Sequence, residues 1–433
     1  MSVWNTACHV LARHLGDGTR LDHALEDVPG QMSPVVRRRC RHLVYGVVRH
    51  LGLLDACSAI HLRHPPRPLL RAALLLGAFE ILENPEQAPA IIHHAVDRTR
   101  EGVSASEARV ANAVLRKVIG SLAAATATEP GSGDAAGLAR RFSHPQWLVE
   151  RWITAFGEPA TRELLAWDQR PAPVHARVLA EAGGLSQDPT RAATLPSFFR
   201  PTPWPHFFEL EKPDWAEVEH LLSAGRIYLQ DPATAVAPDL LALRPGESVL
   251  DVCAAPGGKT LQLAEAVGAA GRVVAVDLPG PRMQRLRDNL HRYRTVRGRI
   301  GVVAGDGRHV SSRILSMEKQ PAAYDAVLLD APCSNTGVLR HRVDAKWRLA
   351  PSDLVALPEL QLDLLRPAST LVRPGGRLVY STCSLEAEEN TGVVSAFLAT
   401  REGATFVLES SRQSLPWVDG RDGAGAYLLR RAG

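Results

Sequence analysis

Cysteine is scarce in this chain: six in 433 residues, with no Cys-x-x-Cys pair. That argues against a disulfide scaffold or a zinc cluster and fits a reducing compartment. No basic-then-apolar segment opens the chain, so the cytoplasm is the expected location. Long apolar runs are missing as well. The strongest near the start, Ala72–Phe79, is bounded by Arg71 and Glu80 and is too short to span a bilayer. Neither sign of charge dominates: 50 basic residues against 46 acidic leave a net +4, a weak lean toward anionic partners. His93-His94 has no ligand-spaced partners, so it reads as surface or core rather than as a metal site. The content, 45% hydrophobic and 22% charged, is that of a soluble globular protein, and 433 residues exceed one ordinary core, so two or three domains are expected.

Two common cofactor fingerprints are also missing. Asp251–Thr260 reads Asp-Val-Cys-Ala-Ala-Pro-Gly-Gly-Lys-Thr, between a short apolar strand, Ser248–Val252, and the helical composition of Leu261–Val267. A strand, a glycine turn and a helix form the usual seat of a nucleotide-containing cofactor. The ending Gly258-Lys259-Thr260 looks like a P-loop tail, but Cys253 stands where the first glycine of that loop belongs. No Gly-x-Gly-x-x-Gly occurs in the turn either. A pocket for S-adenosylmethionine, which has no triphosphate to cradle, survives both tests.

Residues 1 to about 120 read as all-helical, from apolar spacings such as Ala7, Val10, Leu11 and Leu15, or Ala111, Val114, Leu115 and Val118. Arg37, Arg38, Arg39, Arg41 and Arg49 share one helical stretch, which suits either a solvated face or phosphate contacts. Ser121–Gly137, rich in Ala, Thr, Gly and Ser, reads as a flexible linker. A helical Phe142–Trp152, a strand-like Val174–Leu179 and an aromatic-rich Phe198–Phe208 suggest a small α/β subdomain. From Tyr228 strands alternate with helices, which implies a mostly parallel sheet with ligands at the carboxyl ends of its strands. The strands are expected at Arg272–Val276, Ile300–Ala304, Tyr324–Leu329 and Arg377–Tyr380, the last after the turn Pro374-Gly375-Gly376. The helix carrying the apolar stripe Met283, Leu286, Leu290 and Tyr293 has Arg282, Arg285, Arg287, Arg292 and Arg294 on its other faces.

Three successive strands end in Asp277, Asp306 and Asp330. An acid 26 positions beyond Asp251, as Asp277 is, can take two ribose hydroxyls, and Asp306 can accept from an adenine amino group. Two further loops, Asp330–Gly337 and Ser381–Ser384, each place a cysteine directly after a strand. Cys8, Cys40 and Cys57 read as buried small hydrophobes, but Cys333 and Cys383 converge on the cofactor face. Methylation of cytosine at carbon 5 accounts for such a pair. That carbon is a poor nucleophile until a thiolate adds at carbon 6, and the thiol must later be expelled.

These motifs resemble the RsmB (Sun/Fmu) family of bacterial ribosomal RNA cytosine-5 methyltransferases, in order and spacing, and the match extends to Gln230-Asp231-Pro232 and Glu386–Asn390. The N-terminal part, notably Asn112–Lys117, resembles the RNA-binding NusB domain of that family. The resemblance implies a multidomain fold. It comprises an all-α NusB-like domain over 1–121, a linker over 122–137, a small α/β subdomain over 138–225, and a Rossmann-like class I methyltransferase domain over 226–433 with helices on both faces of a mostly parallel sheet. It further implies S-adenosylmethionine held by Cys253, Ala254, Ala255, Pro256, Gly257, Gly258 and Lys259 with Asp277, Asp306 and Asp330. Cys383 corresponds to the nucleophile and Cys333 to the cysteine that assists release; Asp330 would hold the cytosine, with Lys259 close enough to help. DNA cytosine-5 methyltransferases attack from a Pro-Cys loop instead, which would point to Cys333. Val343 replaces a proline common in the loop after Cys333. The implied partner is RNA, ribosomal first, with no DNA, membrane or metal, and the chain is expected to be a monomer. A transfer-RNA methyltransferase of the same mechanism, a P-loop ATPase and a non-catalytic antitermination factor are the alternatives.

Overall fold

The computed structural model describes residues 2–26, 28, 32–179, 195–293, 296, 298–311, 315–316 and 320–433. It divides into two compact units, residues 1–171 together with 339–348, and residues 172–338 together with 349–433.

The first unit is helical: α1 (Val3–Asp17), α2 (Leu21–Glu26), α3 (Pro34–Arg49), α4 (Leu51–Ala59), α5 (Pro68–Glu83), α6 (Ala88–Gly102), α7 (Ala105–Ala127), α8 (Ala135–Arg141), α9 (Gln146–Phe156) and α10 (Glu158–Gln169). Side-chain caps set several starts. Ser2 and Ser33 each accept an amide of the first turn, and at α7 the Ser104 hydroxyl accepts from the Glu107 amide and contacts the Glu107 carboxylate as donor. The apolar run Ala72–Phe79 becomes the central helix α5, buried from Ala72 to Phe79 without a break. Gly46 on α3 is required by close approach, since a Cβ there would lie 2.0 Å from Cζ of Phe79. Helix α7 is long and apolar enough to cross a membrane by length and composition. Its residues Ala108, Ala111, Val114, Leu115, Val118 and Leu122 are buried, and the helix packs on α4, α5 and α6.

The expected linker is helical at both ends. Alanines carry α7 to Ala127, and Asp134, whose side chain accepts from the Gly137 amide, starts α8. Helices α8 to α10, expected to begin a mixed subdomain, belong to the helical unit. So does a stretch far along the chain, Leu339–Arg348. Val343 is buried in the helical core, Trp347 packs against it, and the Trp347 indole donates to the Val48 carbonyl at 2.9 Å. The buried Lys346 donates to the Arg49 carbonyl at 3.2 Å. Burial pushes its pKa down to about 7, against the pull of Asp168.

The second unit holds two sheets. Strands β1 (His175–Val178), β2 (Phe199–Pro201), β3 (Phe207–Leu210) and β4 (Ile227–Leu229) form a small antiparallel sheet in the order β2-β3-β1-β4, beside α11 (Trp215–Ser223). Strands β5 (Ser248–Val252), β6 (Arg272–Asp277), β7 (Ile300–Ala304), β8 (Tyr324–Asp330), β9 (Val372–Thr382), β10 (Phe406–Ser414) and β11 (Ala424–Arg431) form the large one, ordered β10-β11-β9-β8-β5-β6-β7. The five from β7 to β9 are parallel and β11 and β10 are antiparallel. Helix α12 (Val236–Leu241), α13 (Gly258–Ala266), α14 (Pro281–Arg292) and α15 (Asp353–Thr370) are shared between two apolar clusters, one on each side of the sheet. The stripe Met283, Leu286, Leu290 and Tyr293 is buried as expected; Arg294, read onto the same helix, lies outside the described residues, as does 180–194. Strand β9 is longer than expected because Pro374-Gly375-Gly376 is an irregularity within it, with Gly375 at φ +71°. Sheet order reverses around β5, so the crevice at the carboxyl ends of β5 and its neighbours is where a ligand belongs.

Candidate active site

The turn after β5 is built for close approach. Cys253 sits at φ +65° and Gly257 at φ +106°. A Cβ on Gly257 would lie 2.8 Å from Leu286, and one on Gly258 would lie 2.9 Å from the Gln230 side-chain oxygen. Asp251, fully buried at the end of β5, accepts from the Thr260 hydroxyl at 2.6 Å through one oxygen; the other has no hydrogen-bond partner among the described residues. Burial pushes this carboxyl up to about 7, and the Thr260 hydrogen bond only partly opposes the shift. Lys259 donates to Asp330 at 2.7 Å. The two P-loop-like side chains are therefore turned to carboxylates rather than toward a phosphate and its metal.

The strand-end acids lie on one edge of the sheet. Asp277 accepts from the amides of Ala255 and Leu278, both at 2.8 Å. Asp330 divides its oxygens between Lys259 and the Ser381 hydroxyl at 2.9 Å. Asp306 pairs with its near neighbour Arg308 at 2.6 Å, which holds its carboxyl below the usual range. Burial lowers the Lys259 pKa, but the charge of Asp330 and its hydrogen bond outweigh that and leave it raised. Cys253 is kept a thiol, pushed up to about 12 by burial and then by Asp277 and Asp330. The chemistry of this donor set fits S-adenosylmethionine. Carboxylates aligned beside a glycine cradle match a cationic ligand rich in hydroxyl and amino donors, and would repel a triphosphate.

The two cysteine loops meet. Cys333 follows β8 and Cys383 follows β9, and their sulfurs stand 3.1 Å apart. Asn335, at φ +64°, bonds the Cys333 carbonyl at 2.7 Å through Nδ2 and the Cys383 thiol at 3.4 Å through Oδ1. A Cβ on Gly337 would meet the Cys383 carbonyl oxygen at 2.8 Å, so the glycine lets one loop close on the other. Contact with Cys383, then burial, pushes the Cys333 thiol well above its ordinary pKa. A pocket is lined by Asp231, Thr234, Lys259, Asp330, Ser381 and Cys383, among others. Cys8, Cys40 and Cys57 are buried in the helical unit, as expected. Asp251, Asn335, Ser381 and Glu389, whose carboxylate lies behind both loops, fall in stretches that the sequence singles out but receive no role of their own from it. Glu389 lies in the stretch Glu386–Asn390, whose matching motif was the one available signal.

Arg49 departs from its expected group. It is 7% exposed, donates to the Arg340 carbonyl at 3.2 Å, and has its pKa lowered to about 10 by burial, whereas Arg37, Arg38, Arg39 and Arg41 are exposed.

A family model described as 16S rRNA methyltransferase RsmB/F matches residues 238–415, and the NusB family matches residues 5–120. Ribosomal RNA small subunit methyltransferase B of Vibrio cholerae is 31% identical over 449 residues, spanning 98% of this chain and 96% of that protein. The protein of the same name from Klebsiella pneumoniae is 30% identical over 448 residues, spanning 100% and 99%. A solved structure from Pyrococcus horikoshii, described as a methyltransferase homolog protein, is 26% identical with a TM-score of 0.56, covering 70% of this chain and 100% of that one. With the Rossmann-like sheet, the glycine cradle and the strand-end acids, these likenesses make one case: the chain is an S-adenosylmethionine-dependent methyltransferase and belongs to the RsmB family of ribosomal RNA small subunit methyltransferases.

Proposed function

We propose that the enzyme forms 5-methylcytosine in small-subunit ribosomal RNA through a covalent bond between Cys383 and carbon 6 of the target cytosine. The observation that carries this reading is the cysteine pair, with sulfurs 3.1 Å apart and Cys383 facing a pocket that Asp330 and Lys259 also line. Addition of the Cys383 thiolate makes carbon 5 enamine-like and nucleophilic. Asp330 holds the amino edge of the ring while charge develops, with Lys259 beside it. Removal of the carbon 5 proton then lets the thiol leave, and Cys333 assists that release. The cofactor, held by Cys253–Lys259, Asp277, Asp306 and Asp330, supplies an electrophilic methyl when bound. Bisulfite sequencing of ribosomal RNA from a strain lacking the gene tests the reading. One small-subunit cytosine should become convertible and should be protected again by the wild-type gene. A transfer-RNA cytosine lost instead would assign the other substrate.

Two outcomes follow for binding. In calorimetry the purified protein should bind S-adenosylmethionine and not ATP. Asp277→Ala should weaken that binding by roughly 1.5–3 kcal/mol, the scale of hydrogen bonds to a charged group. The exposed arginines of α3 serve RNA phosphates in this reading. Arg37→Ala with Arg41→Ala should lower RNA affinity at low salt and reduce the salt slope by about one to two, through fewer released counterions. An unchanged slope would make that face merely solvated.

A further inference from the structure

Behind the two cysteines lies a carboxylate that the reaction above does not use. Glu389 is 0% exposed. One of its oxygens accepts from the Ser384 hydroxyl at 2.6 Å and from the Ser334 hydroxyl. The other accepts from the Ser334 amide and from the Gln361 side-chain amide, both at 2.9 Å. Ser334 follows Cys333 and Ser384 follows Cys383, and their two hydroxyls are 3.0 Å apart. The same Gln361 amide group reaches the Pro332 carbonyl at 2.9 Å, and the Tyr380 hydroxyl donates to the Glu389 carbonyl at 2.6 Å.

Burying a carboxylate is costly unless every oxygen is satisfied, and apolar packing usually serves stability as well or better. What apolar packing cannot do is bond two loops at once from one rigid point. We propose that Glu389 is a positioning residue for the cysteine pair, holding the Cys333 and Cys383 loops, through Ser334 and Ser384, at the separation that lets one thiol act on the adduct formed by the other. The proposal rests on the covalent reading given above. Its negative charge also adds to the forces that keep Cys333 a thiol, behind contact with Cys383 and burial. That divides the roles of two otherwise similar sulfurs.

Two measurements on the full-length enzyme test this. The first needs neither RNA nor cofactor. Oxidised glutathione is attacked by one cysteine, giving a mixed disulfide and one glutathione thiol. The second cysteine then displaces a second glutathione thiol and closes the Cys333–Cys383 bond. Peptide mass spectrometry follows that closing step, which reads the approach of the sulfurs directly. The second measurement is the amount of protein–RNA adduct relative to methylated product. Glu389→Gln, which puts a donor against donors, should slow closure by roughly ten- to hundredfold, the scale of an ångström-size displacement of reacting atoms. It should also raise adduct relative to product. Glu389→Asp should fall between it and the wild type, and Ser384→Ala should shift both readouts in the same direction. If Glu389→Gln does not fold, Ser384→Ala and Ser334→Ala carry the test. Wild-type closure and wild-type release in these variants would overturn the positioning role. Slowed closure with no adduct in any protein would leave the positioning role standing and sink the covalent reading.

Discussion

Cys383→Ala should lose methyl transfer to RNA by roughly ten-thousandfold or more, the scale of removing a covalent nucleophile, and should form no adduct. Cys333→Ala should behave differently. Cys383 still lines the pocket beside Lys259 and Asp330, so attack and methylation proceed. Release then stalls, because the sulfur that stood 3.1 Å away is gone. The expected product is a protein–RNA complex that survives denaturing electrophoresis. The two loops also differ in ways that favour this assignment. Cys383 lines the pocket, while the Cys333 thiol is held protonated by contact with its neighbour and by burial, which suits a group acting after attack. An adduct that accumulates in Cys383→Ala and is absent in Cys333→Ala would exchange the roles. Full activity in both variants would end the covalent mechanism.

The second large effect is on stability, and it depends on pH. Asp251 is fully buried, and its carboxyl is raised from an ordinary 3.8 to about 7, by burial first and by Asp330 and Asp277 to a lesser degree, with Thr260 and Lys259 pulling the other way. Between those two values the unfolded chain gives up this proton while the folded chain keeps it. The stability contributed by that proton is fully present below about pH 4 and is lost as pH rises to about 7, at about 1.4 kcal/mol per unit. Asp251→Asn keeps the shape and an acceptor for Thr260 without the charge. Its stability relative to wild type should therefore climb from near zero at pH 4 by up to about 4 kcal/mol at pH 7. Denaturant unfolding of the cofactor-free proteins across that range measures the difference. Parallel curves would mean that Asp251 titrates normally in the fold.

Much of the site was legible because parallel strands buried on both faces leave plain apolar runs, and polar residues begin where each run stops. That pattern places Asp277, Asp306, Asp330, Cys333 and Cys383 at or just after strand ends, which is where they lie. What the pattern could not reveal is which partner each side chain takes. Asp306 is engaged by Arg308, two residues on. Arg49 shares helical spacing with exposed arginines, yet its acceptor is a carbonyl 291 positions away. The partners of Glu389 are hidden for the same reason, since its donors come from three separated segments. The edges of the units were hidden too. Leu339–Arg348 is more basic than the stretches on either side, but that does not say which unit it joins; its burial against α3 and α4 does.

That ten-residue insertion has a consequence for synthesis on the ribosome. A helical unit confined to the first 171 residues would be complete before any of the large sheet was made. Here Val343, Lys346 and Trp347 join its interior only after residue 348 has been translated, by which point β5 to β8 have already been made. N-terminal units ordinarily finish folding first. In this chain the early unit waits for a late segment, so a fragment cut after Pro171 lacks part of its own interior, and the rest of the chain carries that part uncovered.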